Sequence, residues 1–437
     1  MKNEHLIKKY FFLSLSILTV FILFYFDIIH KTYVIPYVPE TANSVSLFNT
    51  ETWSKFKFFG DTKAIFMFAE CHKAGYDVYL LNECSFKNGY RFEGYQFQYG
   101  RALLFLPIID IAYREIFLII YGSLLIGSLI YLVFRLIEPQ SIVENIICLI
   151  LIFNPTTLLL FESLNFDLFI FLSLVAMIFL KKNYIIKILI NFLLFSIKYY
   201  PLLFIINFFV ENKLLFKKKI FYIFLFLFLS ILLVFFNFND FALIADNVSN
   251  NGKNIKYNFS LNGITRIIEH ILPVVSGISE ITFIYNGKII KFSLLFILLF
   301  ISYLNYFFLN EKIILTEENN SRKKLFYVCA NSLIILYVLF NNNYIREVFF
   351  IGIVPYLLIM SKKNCLFSTT CFSLIFFKYV FMIVVWPSLI FTNIEFNSSG
   401  QFFVGTKILL DFLIMSLLIT YMIKVNLFVY KDMFKKQ

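Results

Sequence analysis

The chain has 437 residues, of which 60% are hydrophobic and only 15% are charged. Apolar runs of about 20 residues recur from end to end, and each can cross a hydrocarbon core of about 30 Å. This composition excludes a soluble catalytic domain and predicts an all-α polytopic membrane protein, a single integral membrane domain over residues 1–437. The net charge of +12 does not indicate a nucleic-acid partner, because Lys and Arg collect at predicted cytoplasmic ends and set orientation.

The apolar runs predict about ten full crossings by the length criterion for a bilayer. The first run has no small-residue cleavage site, so we interpret it as a retained span rather than a removed signal. The distribution of Lys and Arg predicts that both termini are cytoplasmic. The predicted crossings are 10–30, 116–134, 145–161, 167–180, 221–238, 292–309, 325–340, 348–360, 366–385 and 404–423.

Residues 184–210 form one further apolar stretch with Lys at both flanks. Lys198 and Pro201 interrupt it in the middle, within "SIKYYPLL". A broken, re-entrant pair of short helices would leave both flanks in the cytoplasm, as the positive-inside rule favours. Because non-helical backbone at membrane depth is tolerated where it lines a cavity, the break indicates an internal site.

Two long outer loops are predicted, at 31–115 and 239–291, and the first contains "GDTKAIFMFAECHKAGYDVY". Asp61 after Gly60 is typical of a helix N-cap, and apolar residues at helical spacing follow it. Gly75 is expected to end the helix. The local pattern therefore predicts an amphipathic helix on the outer membrane surface. Cys71 and Cys84 share this loop, and the sequence leaves open whether they form a disulfide.

Polar residues interrupt the apolar segments at several further points. Asn165 and Asp167 lie in a short outer turn, where they either cap a helix or contribute to a site. Lys198 is costly inside an apolar segment, so it either binds a lipid phosphate together with Tyr200, snorkels, or pairs with an acidic residue of a neighbouring helix. Lys378 also lies inside an apolar segment.

The second long loop and a later span mouth carry two arginines of interest. Arg266, in "KYNFSLNGITRII", is a candidate for phosphate binding. Arg346 stands beside Glu347 at the outer mouth of a span, and we interpret the pair as solvated. The sequence has no His/Cys metal-binding pattern, phosphate-binding Gly-rich loop or serine-hydrolase motif.

Taken together, these segments resemble the GT-C superfamily of membrane glycosyltransferases. In the first outer loop Asp61, Gly75 and Tyr79 match the pattern. "SLNFDLFIF" and "SIKYYPLL" are similar to the Asn-x-Asp and Lys-x-x-Pro signature of glycosyltransferase family 87, and "NFSLNGITRII" is similar to a loop of that family. The whole also resembles phage-type glucosyltransferases that modify O-antigen of lipopolysaccharide and convert serotype. The matching positions outside the first loop are Asn165, Asp167, Lys198, Pro201, Ser260, Leu261, Gly263 and Arg266.

The resemblance implies a hexosyltransferase of the bacterial inner membrane, with its active site on the periplasmic side. It would move one sugar, glucose or another hexose, from an undecaprenyl-phosphate type donor to a hydroxyl of a glycan or lipid-linked glycan acceptor such as O-antigen. No cofactor is implied, and the metal requirement is left open. Asp61 would be the general base, with Asp167 as the next choice, and direct displacement would invert the anomeric carbon. The implied substrate-binding residues are Asn165, Lys198, Tyr200, Arg266, Arg346, Tyr79 and Ser260.

Two departures and two alternatives accompany this resemblance. Thr62 stands where the family often has an aromatic residue or a second acid, and Val78 stands where it prefers Pro. The first alternative is an O-antigen or capsule polymerase, which usually has its largest outer loop late in the chain. The second is a lipid-linked glycan flippase or another transporter, a class that often shows paired halves. The sequence does not reveal the sugar, the acceptor hydroxyl, the linkage or the oligomeric state.

Overall fold

The computed structural model describes residues 2–25, 59–80, 97–106, 111–180, 183–206, 216–251, 260–261, 264–265, 287–308, 321–339, 344–363, 365–391 and 398–435. Within these ranges the regular elements are helices, and no strand occurs. The predicted all-α class is therefore confirmed for the described part of the chain. The α-helices are α1 (Lys2–Tyr25), α2 (Gly60–Lys73), α3 (Ile111–Ile137), α4 (Ile142–Phe153), α5 (Pro155–Ser163), α6 (Phe166–Phe179), α7 (Tyr184–Ile197), α8 (Phe216–Phe236), α9 (Phe238–Asn251), α10 (Gly287–Phe308), α11 (Ser321–Leu339), α12 (Phe350–Lys362), α13 (Leu366–Phe391) and α14 (Ser398–Lys435). Short 3-10 helices cover Arg101–Phe105, Tyr200–Ile205 and Tyr344–Phe349.

Several of these helices are suited to a bilayer. In the described part of the chain, five helices are long and apolar enough to cross a membrane. Helices α4 and α5, bent by 47° at their junction, would together make a sixth span. Helices also lie over the described parts of the predicted crossings 10–30, 167–180, 325–340 and 348–360, but these helices are shorter or less apolar than the five spans. The chain is thus a multi-pass membrane protein, and the count of ten crossings stays a prediction. The five spans are Ile116–Ile137, Lys217–Phe236, Ile289–Phe307, Leu366–Val385 and Gly405–Val425.

The predicted crossing 145–161 is divided in two by "NP". Asn154 caps α5 by accepting a hydrogen bond from the Thr157 N–H (3.0 Å), and Pro155 occupies the first helical position. Proline is favoured there because it has no N–H to satisfy, and the same feature ends the preceding helix. The bend therefore follows from this dipeptide.

The apolar stretch 184–210 is also broken, as the sequence predicts. Helix α7 ends at Ile197, Lys198 has extended backbone, and the chain continues as the 3-10 helix Tyr200–Ile205. Residues 207–210 lie outside the described part, so the re-entrant path stays a prediction.

The chain divides into two compact units. The first comprises Met1–Leu202 with Phe224–Asn250, and the second comprises Leu203–Ile223 with Asn251–Gln437. In the first unit, α2 packs against α5 and the 3-10 helix Arg101–Phe105, while α3 contacts α1, α4 and α6. In the second unit, α11, α12, α13 and α14 pack successively, and α10 contacts α14. The prediction of a single membrane domain is not decided by this division.

Candidate functional site

Asn165 lies at the corner between α5 and α6, which are separated by two residues. Leu164 adopts the left-handed conformation (φ 46°), and the Asn165 side chain then accepts a hydrogen bond from the Asp167 N–H at 2.9 Å. Asparagine is among the preferred N-cap residues because its short side chain reaches these exposed donors. The cap interpretation of Asn165 is therefore confirmed, and the corner fixes its amide.

The amide of Asn165 also joins three segments that are distant in sequence. Its oxygen accepts a second hydrogen bond from Lys198 Nζ at 3.0 Å, and its nitrogen donates to Asp61 Oδ2 at 2.7 Å. Since two donors fix the oxygen side of the amide, the NH₂ group must face Asp61. The capping residue thus holds a carboxylate of α2 and the ammonium that follows α7.

Asp167 completes this arrangement from the first turn of α6. Its Oδ1 lies 2.9 Å from Lys198 Nζ and accepts a hydrogen bond from the Tyr200 hydroxyl at 2.6 Å. We call Asp61, Asn165, Asp167, Lys198 and Tyr200 the site cluster. All five belong to the first compact unit, and all five are residues that the sequence predicts for the site. Of the alternatives left open for Lys198, the structure shows the ion pair with an acidic residue of another helix, Asp167 of α6.

The site cluster contains two carboxylates and the Lys198 ammonium. Asp167 and Lys198 are nearly enclosed, with side-chain exposures of 5% and 13%. A charge removed from water must be paired and hydrogen-bonded to be tolerated, and the contacts of Asp167 meet this requirement. Asp61 accepts an amide hydrogen bond instead, so the five residues together carry one excess negative charge when Asp61 is ionised.

Burial raises the pKa of Asp61 above its usual value, with a smaller contribution from the negative charge of Asp167. The hydrogen bond from Asn165 and the positive charge of Lys198 act in the opposite direction but do not cancel the effect of burial. A helix N-terminus favours an ionised carboxylate, and burial outweighs that preference here. Asp61 is therefore a stronger base than an exposed aspartate.

The prediction that Asp61 is the N-cap of its helix is wrong. Helix α2 already includes Gly60, and the N-cap is Phe59, whose side chain makes no capping hydrogen bond. Phe59 has the left-handed conformation (φ 66°), and its N–H donates to Glu162 O at 2.7 Å. Because Asp61 does not cap the helix, its side chain is available to meet Asn165.

Helix α2 is also more enclosed than an amphipathic surface helix. Most of its residues are buried, including the polar Thr62, whose hydroxyl donates to Leu164 O at 2.6 Å. The predicted end of the helix is confirmed, since Gly75 follows it with φ 89°, a conformation that glycine adopts without strain. Two polar contacts with the α5–α6 corner, from Phe59 and Thr62, therefore fix the start of α2 beside Asn165.

The sequence reasoning missed Tyr99 and Gly100. Lys198 Nζ lies 4.8 Å from the centre of the Tyr99 ring, within range of a cation–π interaction. The Gly100 N–H donates to Ile197 O at 2.7 Å, and a Cβ on Gly100 would lie 2.0 Å from Ser196 O. Only glycine permits this approach to the end of α7. Among 60 Phe and 27 Tyr, nothing in the sequence distinguishes this tyrosine.

Four further residues that the sequence predicts for the site are not among the five of the site cluster. Tyr79 is buried in the same unit and its hydroxyl donates to Tyr99 O at 3.3 Å, so it reaches the cluster through Tyr99. Ser260 is buried and Arg346 is half-buried, and both belong to the second unit. Arg266 lies outside the described residues.

A second group of charges occupies the second unit. Glu347, Lys378, Lys407 and Asp411 form what we call the charge tetrad, with Lys378 Nζ 2.8 Å from Glu347 and in contact with Asp411. Lys407 Nζ lies 3.3 Å from Glu347 and 2.9 Å from Asp411. The interpretation of Arg346 and Glu347 as a solvated pair is wrong, because Glu347 is fully buried.

Among the described residues, no group of three or more His, Cys, Asp and Glu side chains is arranged to hold a metal ion. The site cluster contains only two carboxylates, those of Asp61 and Asp167, and Asp167 is already paired with Lys198. Cys71 of α2 is disulfide-bonded, while Cys84 lies outside the described residues.

Comparison with known proteins does not identify a family for this chain. No family model, curated protein or solved structure matches the chain.

Proposed function

We propose that this protein is a membrane glycosyltransferase of the GT-C type. It moves one hexose from a polyprenyl-phosphate-linked donor to a hydroxyl of a periplasmic glycan acceptor, with inversion at the anomeric carbon. The observation that carries the proposal is the convergence of Asp61, Asn165, Asp167, Lys198 and Tyr200 from the starts of α2 and α6 and from the break after α7. These residues supply a base and a cation side by side.

Asp61 is the general base of the proposed reaction. It accepts the proton of the acceptor hydroxyl while the acceptor oxygen forms a bond to the anomeric carbon of the donor. Its raised pKa suits this role, because a base acts best when its pKa approaches the working pH. Asn165 holds the carboxylate in place through the 2.7 Å hydrogen bond. Asp167, which already accepts from Lys198 and Tyr200, is the weaker choice for the base.

Lys198 and Tyr200 serve the leaving group. As the bond between the anomeric carbon and the phosphate oxygen breaks, negative charge grows on the lipid phosphate. The Lys198 ammonium and the Tyr200 hydroxyl offset that charge, and such pre-positioned donors account for a large share of catalysis in many enzymes. Asp167 positions both groups before the donor arrives, since it lies within 2.9 Å of one and 2.6 Å of the other.

The disulfide of Cys71 supports a periplasmic location for the proposed site. Cys71 lies in α2, the helix that also carries Asp61. Disulfides persist in oxidising compartments such as the bacterial periplasm and are rare in the cytosol. A site at this helix would therefore meet donor and acceptor on the outer side of an inner membrane.

The test is sugar transfer by the purified full-length protein in lipid nanodiscs. Polyprenyl-phosphate glucose with a radiolabelled sugar is the donor, and lipopolysaccharide lacking glucose branches is the acceptor. We expect wild-type transfer, and a loss of about 10²–10⁴-fold in Asp61→Asn, the usual contribution of a general base. Transfer by Asp61→Asn at the wild-type rate, with equal protein present, would contradict the base assignment.

The same preparation separates the alternatives. A polymerase would extend a polyprenyl-diphosphate-linked oligosaccharide and would leave the monophosphate-linked glucose unused. A flippase would move the labelled lipid across a liposome membrane without any change in its covalent structure. Either result in place of transfer overturns the proposal.

A further inference from the structure

A strip of polar and aromatic side chains continues from the site cluster along the first unit. It begins at Tyr99, whose ring faces Lys198, and at Tyr199, the residue between Lys198 and Tyr200. We call it the tyrosine strip and define it as Tyr99, Tyr199, Arg101, Asp240 and Asp77. None of these residues is fully buried, and Arg101 and Asp77 are exposed.

Helix α9 and the 3-10 helix Arg101–Phe105 form the far part of the strip. Arg101 Nη1 lies 3.6 Å from Asp240 Oδ2, and their side chains are 45% and 21% exposed. The ring of Tyr199 packs against Phe241 at 4.7 Å, which fixes the start of α9 beside the end of α7. The strip thus links Lys198 to an exposed Arg–Asp pair.

The charged groups at this end influence one another. Burial raises the pKa of Asp240, and Arg101 and His72 lower it while Asp77 raises it. Burial and the nearby Asp240 together raise the pKa of Tyr199 to about 12. Asp77 is joined to the strip through Tyr79, because its Oδ1 accepts from the Tyr79 N–H at 3.0 Å and the Tyr79 hydroxyl donates to Tyr99 O at 3.3 Å. The raised pKa of Tyr199 keeps its hydroxyl neutral, so that it can donate or accept a hydrogen bond.

The floor of the strip is rigid and apolar. Phe97 is buried with Tyr79 and Val78, and its ring lies 5.2 Å from Phe68 of α2 and 5.7 Å from Tyr99. A floor of this kind limits the movement of the tyrosines above it. The cost of ordering these side chains on binding is therefore small.

The chemistry of the strip selects the class of ligand. Tyrosine rings offer apolar faces for C–H groups, while hydroxyl, guanidinium and carboxylate groups offer hydrogen bonds to alcohols. At the far end of the strip the two carboxylates of Asp77 and Asp240 outnumber the single guanidinium of Arg101, which disfavours an anionic ligand there. We propose that the tyrosine strip binds a neutral saccharide. The inference rests on the proposed function only in naming that saccharide as the acceptor glycan.

The test is binding of the purified full-length protein, in detergent micelles, to a printed array of neutral oligosaccharides with sulfated and phosphorylated ones beside them. Wild-type protein is expected to bind neutral glycans in preference to anionic ones. Arg101→Gln and Asp240→Asn are each expected to weaken that binding about tenfold, the effect of losing one hydrogen bond to a charged group. Preference for anionic glycans, no glycan binding by wild type, or unchanged binding by both variants overturns the subsite.

A matched control is available in the same unit. Arg135 and Glu138 form an exposed ion pair at 2.7 Å, with side-chain exposures of 59% and 41%. Arg135→Gln is expected to leave glycan binding unchanged, and equal weakening by this variant and Arg101→Gln would overturn the inference.

Sugar transfer on the same preparations distinguishes this inference from the proposed function. If transfer fails in every variant while glycan binding still depends on Arg101, the proposed function is overturned and the saccharide subsite stands. If transfer succeeds and Arg101→Gln has the wild-type KM for the acceptor, the subsite is overturned and the proposed function stands. A raised acceptor KM with an unchanged donor KM supports both.

Discussion

In the site cluster, Asp61 and Asp167 lie around Lys198, whereas in the charge tetrad two carboxylates face two lysines. Each lysine of the tetrad contacts both carboxylates, and all four residues are 0–3% exposed. Lys198 and Asp61 keep some exposure, and Asp61 is held by an amide. A balanced, buried set of charges suits the role of holding helices together, while an unbalanced, partly exposed set suits proton exchange and the binding of a charged ligand.

The environments of the two clusters explain this difference. The tetrad joins the 3-10 helix Tyr344–Phe349 to the spanning segments of α13 and α14, where its four side chains are buried and each charge needs a partner. The site cluster gathers the starts of α2 and α6 and a break in the chain, where backbone and side chains meet at helix ends. Four variants test this contrast, from the largest expected loss of stability to the smallest.

Loss of one charge from the tetrad should have the largest effect on stability. Lys378→Met leaves Glu347 and Asp411 with a deficit of positive charge in a site that water does not reach. Removing one partner of a buried ion pair typically costs about 3–5 kcal/mol. Thermal unfolding in detergent, followed by size-exclusion chromatography, measures the loss. The double variant Lys378→Met/Asp411→Asn should regain part of it, and an unchanged melting temperature in the single variant would show that the tetrad does not hold the helices.

Loss of the lysine from the site cluster should affect activity more than stability. Lys198→Met removes a charge-assisted contact to the donor phosphate, which is expected to lower kcat/KM about tenfold to a hundredfold. Asp167 keeps the hydrogen bond from Tyr200, so the free energy of unfolding should fall by less than it does in Lys378→Met. Lys198→Arg retains the charge and is the control. A loss of stability equal to that of Lys378→Met would remove the contrast between the clusters.

Neutralising Asp61 should leave the fold intact. Because burial raises the pKa of Asp61, the ionised form is disfavoured in the folded protein, and Asp61→Asn removes that cost. The melting temperature at pH 7 is expected to stay equal or rise slightly while transfer is lost. A lower melting temperature would identify Asp61 as a structural residue instead.

The smallest effect concerns the pH dependence of transfer. The hydrogen bond from Asn165 lowers the pKa of Asp61 and so opposes the effect of burial. Asn165→Ser keeps an N-cap residue for α6 but loses the amide donor, so the pKa of Asp61 should rise further. Because the base must be ionised, the acid side of the pH–activity curve should move to higher pH. A curve that falls in height without moving would contradict a positioning role for Asn165.

For the site cluster, the sequence predicted the residues but not the contacts between them. Asn165, Asp167, Lys198 and Tyr200 were recognisable because polar residues are costly beside or inside apolar segments. Their contacts were not, because the bonds of Asn165 to Lys198 and of Asp167 to Tyr200 join residues 33 apart, and the bond of Asn165 to Asp61 joins residues 104 apart. Such bonds depend on how α2 and the end of α7 pack beside the α5–α6 corner. Tyr99 and Gly100 gave no signal, since their importance comes from closeness to the end of α7.

The sequence by itself determined the helical class, the break at Lys198, the bend at Pro155 and the end of α2 at Gly75, since each follows from local backbone chemistry or from hydropathy. Tertiary structure alone decided that Phe59, and not Asp61, precedes α2, and that Glu347 is enclosed with Lys378. Both outcomes depend on long-range packing, which supplies the left-handed conformation of Phe59 with its partner Glu162 and gives Glu347 two lysines from other helices. The residues next to Phe59 and Glu347 in the sequence do not identify such partners.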